Sequence, residues 1–126
     1  MDKVKYWFDL AIEDINVAVV LLSGGKLLYT GFMCHLAVEK ALKARIESIG
    51  ETPVKIHNLI RLAELGNILD IMTEDQTELL DILNPLQIEA RYPANKQLIE
   101  SLLTTEQCAA LVKQSREIIE WIETQL

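Results

Sequence analysis

Six side chains in this 126-residue chain are candidates to line a nucleotide or anion site: Glu39, Lys40, Lys43, His57, Arg91 and Tyr92. Three of them fall in Cys34–Glu47, CHLAVEKALKARIE. There His35, Glu39 and Lys43 follow one another at i, i+4 and i+8, which on a helix places them within an arc of roughly 80°. Lys40 stands about 100° round from Glu39. Two readings fit this spacing. Glu39 and Lys43 could be an exposed pair, worth roughly a few tenths of a kcal/mol. Alternatively, they form a polar seam in which Glu39 orients a cation and Lys43 or Lys40 meets an anion.

His57 lies in PVKIHNLIRL, at the start of a short helical pattern. A lone histidine in such a place serves as a cap or as the partner of a carboxylate. Arg91 stands in EARYPAN, at the C-terminal end of a helical stretch, where the helix dipole favours a cation. Tyr92 beside it offers a ring and a hydroxyl, and a planar guanidinium next to an aromatic ring suits a phosphate or a base. Residue types alone do not choose between cap and ligand. Metal chemistry finds little support: there are two histidines, no His-x-x-x-His pair, and two cysteines far apart in sequence. No phosphate-binding glycine loop and no Gly-x-Ser-x-Gly elbow occurs. We expect no cofactor and no metal.

The elements that must position these residues are helical. The apolar period is that of helices throughout, and no alternating strand pattern competes. The first helix is expected over about Asp2 to Ser23, with the stripe Val4, Phe8, Ala11, Ile15, Ala18 and Leu22, stopped by Ser23-Gly24-Gly25. The second runs from Tyr29 or Thr30 to Ser48, and its small-residue face (Phe32, Leu36, Ala37, Ala41, Ala44) invites close helix packing. A short third covers His57 to Leu65. Thr73-Glu-Asp-Gln76 and Thr104-Thr-Glu-Gln107 are capping-box patterns opening the fourth and last helices. Asn84-Pro85 either kinks the fourth helix or starts a new segment, and Tyr92-Pro93 ends it. Breaks fall near 24–28, 49–56, 66–73 and 92–104. The fold class is all-α, an up-and-down antiparallel bundle of four to five helices.

Length allows a single domain over residues 1–126, and half of the chain is apolar, enough for a buried core. No signal peptide is read at the start, no run is apolar and long enough to span a bilayer, and a cytoplasmic protein is expected. The net charge of −7 argues against a bulk binder of DNA or RNA. Its distribution is uneven: residues 62–90 hold seven acidic groups and no basic one. Positive charge concentrates at Lys40, Lys43, Arg45, Lys55 and Arg61. A small local anion site fits this distribution better than a long groove.

Taken in order, several segments resemble the HEPN domain (higher eukaryotes and prokaryotes nucleotide-binding). These are the amphipathic first helix with Trp7, Ala11 and Asp14; FMCHLAVEKALKA, Phe32 to Ala44; KIHNL, Lys55 to Leu59; and ARYP, Ala90 to Pro93. The resemblance spans almost the whole chain. It implies a helical bundle that dimerises, often encoded beside a small nucleotidyltransferase, the two acting as toxin and antitoxin. Many members are metal-independent ribonucleases in which an arginine is followed a few residues later by a histidine. Here Arg91 is followed by YPANKQ, and the last histidine of the chain is His57.

Cutting RNA without a metal needs a base for the 2′-hydroxyl and an acid for the leaving oxygen, and imidazole suits both. The expectation is therefore a non-catalytic HEPN homodimer that binds a nucleotide or RNA through Glu39, Lys40, Lys43, His57, Arg91 and Tyr92, and pairs with a small nucleotidyltransferase. The alternatives are a ribonuclease toxin using Arg91 and His57, and a purely structural dimer.

Overall fold

A computed structural model of the chain describes residues 2–89, 97, 100, 101 and 103–126. Helix α1 spans Lys3–Ser23. Asp2 caps it by accepting the Lys5 amide at 3.1 Å, which satisfies one of the donors that a helix start leaves open. At its other end Gly24 returns its N–H to the Val20 carbonyl, and Gly25 takes a φ of 72°, a left-handed conformation that glycine adopts without strain. Ala11, Ile15 and Ala18 of the expected stripe are buried, together with Asp14.

Helix α2, Leu27–Ser48, begins earlier than Tyr29 or Thr30. Thr30 is not its cap. The Thr30 hydroxyl donates back to the Lys26 carbonyl at 2.8 Å inside the first turn, and buried Leu28 anchors that turn in the core. This helix is the centre of the bundle. It packs against α1, α3, α4 and α5, the last three being defined below. Its Ala37, Ala41 and Ala44 are fully buried, so the small-residue face does carry the close packing, while Phe32 and Leu36 are only partly covered. A Cβ on Gly31 would stand 2.9 Å from Leu86 Cδ1, a measure of how closely α2 and α4 approach.

Helix α3 covers Leu59–Leu65, two residues shorter at its start than expected. The reason is local. Asn58, not His57, is the cap, and its side-chain oxygen accepts the Arg61 amide at 3.2 Å. His57 therefore sits just outside the helix. A 3-10 turn, Leu69–Ile71, follows.

Helix α4 spans Glu74–Glu89 and opens with the expected capping box: Thr73 Oγ1 accepts the Gln76 amide at 3.1 Å and Gln76 Oε1 accepts the Thr73 amide at 2.9 Å. The helix continues through Pro85, so Asn84 opens no new segment. Its side chain instead crosses to α3, where Asn84 Oδ1 accepts the Leu59 amide at 2.9 Å. The stop expected at Tyr92-Pro93 lies outside the described residues.

The last helix, α5, is Thr105–Thr124, and Thr104 and Gln107 form the second capping box. Cys108, Leu111, Val112, Ile118, Ile119 and Ile122 are buried along its inner face. Arg45, near the end of α2, closes the bundle by donating to the carbonyls of Gly66 and Gln125. The result is an all-α antiparallel bundle. The described residues contain no strand and no helix long and apolar enough to cross a membrane.

Candidate functional site

The i, i+4, i+8 seam on α2 is buried. Glu39 is 4% exposed and Lys43 7%, which rules out the exposed-pair reading of their spacing. Two buried charges must be paired to persist, and the pairing is explicit. Glu39 Oε2 accepts from Lys43 Nζ at 3.1 Å, and Glu39 Oε1 accepts from His57 Nδ1 at 2.9 Å. Lys43 Nζ also lies 5.5 Å from the centroid of the Trp7 ring on α1, within cation–π range. Trp7 counted toward the family resemblance but not toward the site. Its signal was its position on the face of α1 that meets α2.

The two histidines divide the work. His35 Nε2 is 2.9 Å from the carbonyl oxygen of His57. That oxygen only accepts, so Nε2 carries the proton and the neutral ring leaves Nδ1 bare. His35 Nδ1 is buried with no hydrogen-bond partner and faces Glu39 Oε1 at 3.7 Å. Burial pushes the His35 pKa down to about 4, although the Glu39 charge pulls it the other way. His35 thus stays neutral at physiological pH and holds the backbone that carries His57.

His57 is the open member. A carboxylate can only accept, so the Nδ1 facing Glu39 is the protonated one in the neutral ring, and Nε2 makes no hydrogen bond with any described residue. The side chain is 48% exposed, against 6% for its Glu39 partner. This carboxylate–imidazole geometry fixes a tautomer and presents an imidazole nitrogen to solvent. Beside it is a cleft of about 370 Å³ lined by His57, Asn58, Asn84, Pro85 and Gln87. A larger groove of about 490 Å³ between α4 and α5 presents Asp75, Glu78 and Glu117, charges that repel a phosphate.

Lys40 is engaged elsewhere. Its ammonium meets Asp14 Oδ2 on α1 at 2.5 Å, with side chains 22% and 12% exposed. The positive stretch read from sequence is largely neutralised by folding: Lys40 on Asp14, Lys43 on Glu39, Arg45 on backbone carbonyls and Arg61 on Glu64. Arg91 and Tyr92 lie outside the described residues. Glu39 already accepts one hydrogen bond on each oxygen. Sequence reasoning missed Asn58, Asn84 and Gln87. The Asn-Pro dipeptide marked the right place but was read as punctuation of α4 and not as a bridge to α3.

Neither cysteine takes part in the hydrogen bonds of the Glu39 cluster. Both thiols are buried and free, and burial pushes Cys34 up to about 12, so it holds its proton at neutral pH. The described residues hold no group of three or more histidine, cysteine, aspartate or glutamate side chains placed to bind a metal.

A solved crystal structure, that of TT1696 from Thermus thermophilus, superposes with a TM-score of 0.85 over 100% of both chains, at 22% sequence identity. At that identity the likeness speaks for the fold alone. No curated protein matches the chain. The sequence pattern of the HEPN domain matches residues 4–125, which takes in the Glu39–His57 pair and leaves out only the first three residues and the last. With nearly the whole chain matched and the helical bundle in place, this protein belongs to the HEPN domain family, and a nucleotide- or RNA-related function follows from that membership.

Proposed function

We propose that this HEPN protein binds a nucleotide or RNA without cleaving it, with His57 and the cleft beside it at the centre of the site. The observation that carries the reading is the asymmetry of the Glu39 cluster: one imidazole is buried and neutral, the other is fixed through Nδ1 and open at Nε2. Arg91 and Tyr92 belong to the proposed site on sequence grounds. Lys43 acts through Glu39, and Lys40 fastens α1 to α2. The chain acts as a homodimer. Tyr6, Val17 and Val20, on one outer stripe of α1 and 48%, 39% and 70% exposed, support an apolar contact there. Family membership supports a small nucleotidyltransferase as partner in a toxin–antitoxin-like pair. Titration of the purified protein with nucleotides and short RNAs at two salt concentrations tests binding. Light scattering tests the dimer, and co-purification with the product of the adjacent reading frame tests the partner.

One observation favours a second reading. An imidazole oriented by a carboxylate and open at Nε2 is equipped to act as a general base. In a metal-free cleavage, His57 Nε2 would take the 2′-hydroxyl proton, the 2′-oxygen would attack phosphorus to form a cyclic phosphate, and the 5′-oxygen would leave with a proton from an acid. Lys43, the buried cation of the cluster, is committed to Glu39. Metal-free incubation of a labelled RNA with wild type and His57→Ala decides the matter. We expect no cleavage by either; robust cleavage by wild type that disappears in the variant establishes the ribonuclease.

A further inference from the structure

Of the cations that concentrate in the middle of the sequence, folding answers four: Lys40 meets Asp14, Lys43 meets Glu39, Arg45 meets backbone carbonyls and Arg61 meets Glu64. The remaining one, Lys55, is exposed and makes no hydrogen bond or ion pair with any described residue. It stands two positions before His57. Its backbone is held. The Ile56 amide donates to the Val54 carbonyl at 2.9 Å, a γ-turn with Lys55 at its corner. Ile56 packs against the core, the His57 carbonyl is held by His35, and the His57 ring is held by Glu39. Two positions of chain span at most about 7 Å, so Lys55 and His57 start from neighbouring fixed points and can reach one ligand.

The two side chains suit different groups. The Glu39 charge is answered by Lys43, which leaves the Lys55 ammonium as the unanswered charge beside His57, and a phosphate is a fitting counter-ion for it. His57 Nδ1 faces a carboxylate only 6% exposed, so the 48% exposure of the His57 side chain falls on the edge that carries Nε2. In the neutral ring that nitrogen accepts and does not donate, so it suits a hydroxyl and not a phosphate oxygen. A ribonucleotide offers both partners in one unit, a phosphate and a 2′-hydroxyl.

We propose that Lys55 and His57 clamp one ribonucleotide unit: the Lys55 ammonium meets a phosphate while His57 Nε2 accepts the ribose 2′-hydroxyl. The inference rests on the nucleotide-binding reading above. It adds Lys55 to the site and assigns to His57 the discrimination between ribose and deoxyribose.

The test is an anisotropy titration, without metal, of short end-labelled RNA, DNA and 2′-O-methyl RNA of one sequence. Wild type should bind the RNA about three- to ten-fold more tightly than either of the others, the scale of one hydrogen bond. Lys55→Gln should weaken RNA and DNA alike, by about three-fold or more, and keep the preference for RNA. It should also flatten the plot of log affinity against log salt by about 0.7, the share of one single-strand phosphate contact. His57→Ala should bind the RNA no better than the DNA. Lys113→Gln, which removes an exposed lysine of α5, a helix with no part in the site, should change neither. Equal affinity for the three oligonucleotides, a preference for RNA that survives His57→Ala, or a loss in Lys113→Gln as large as in Lys55→Gln overturns the clamp and leaves the nucleotide reading standing. No binding of any of them by wild type overturns both.

Discussion

Two carboxylates are buried against α2, and they differ in what surrounds them. Asp14 meets one cation, Lys40, in a pair that staples α1 to α2. Glu39 meets Lys43 on its own helix and His57 from the α2–α3 connection, and one of those partners reaches solvent. The first arrangement is closed: its two side chains meet each other across two helices and hold them together. The second is half-open: the carboxylate is buried, yet its influence is carried to the surface through an imidazole. Burial of charge alone does not mark a functional site. A buried charge wired to an exposed, tautomer-fixed group does.

The largest expected effect breaks the second arrangement at its centre. Glu39→Ala leaves the Lys43 ammonium buried and unpaired, and should cost about 3–5 kcal/mol in denaturant unfolding. Asp14→Ala should cost less, about 1–2 kcal/mol, because Lys40 can turn to water. Equal losses would erase the distinction between the two carboxylates.

Acid comes next. The folded pKa of His35, about 4, lies below the ordinary histidine value of 6.5. The unfolded chain therefore takes up a proton that the folded one refuses, and stability falls as pH drops from about 6.5 toward 4. The loss from this group is about 3 kcal/mol. Glu39, Lys43 and both the backbone and the ring of His57 are the groups that act on it. Urea melts at neutral pH and at pH near 4.5, with an NMR titration of the His35 ring, would show the slope; a His35 ring that titrates near 6.5 contradicts it.

Smaller still is Asn84→Ala. It removes the acceptor for the Leu59 amide and should cost about 1–2 kcal/mol, as loss of a helix cap does. Smallest is His57→Ala, half-exposed and bonded once, with a stability loss of about 1 kcal/mol or less by thermal melting. Its effect should fall on ligand binding, so a variant that unfolds readily but binds normally would reverse its assignment.

Much of this was legible in sequence. The helices, both capping boxes and the glycine stop after α1 are encoded locally, by residues within a turn of each other, so the chain could be read without its fold. The spacing of His35, Glu39 and Lys43 placed three polar groups on one face, but could not say whether that face was buried. Burial depends on α1 and on the connection after α2, which meet α2 only in three dimensions. The same limit hid the neutralised basic stretch, because Asp14 and Lys40 are 26 positions apart in the chain. The Asn84 bridge is likewise a long-range fact, with no local pattern to announce it.

The Asn58–Asn84 contact bears on the order in which the molecule assembles. Helix α3 has seven residues, far below the length at which a helix holds together alone in water. Its first amide is satisfied by a side chain of α4, 25 positions away. Final seating of the segment carrying His57 therefore needs α4 as well as α2, which holds it through His35 and Glu39. Amide exchange at Leu59 then becomes a clock for that docking, keeping time with α4 and not with the longer and better-buried α2 that precedes it.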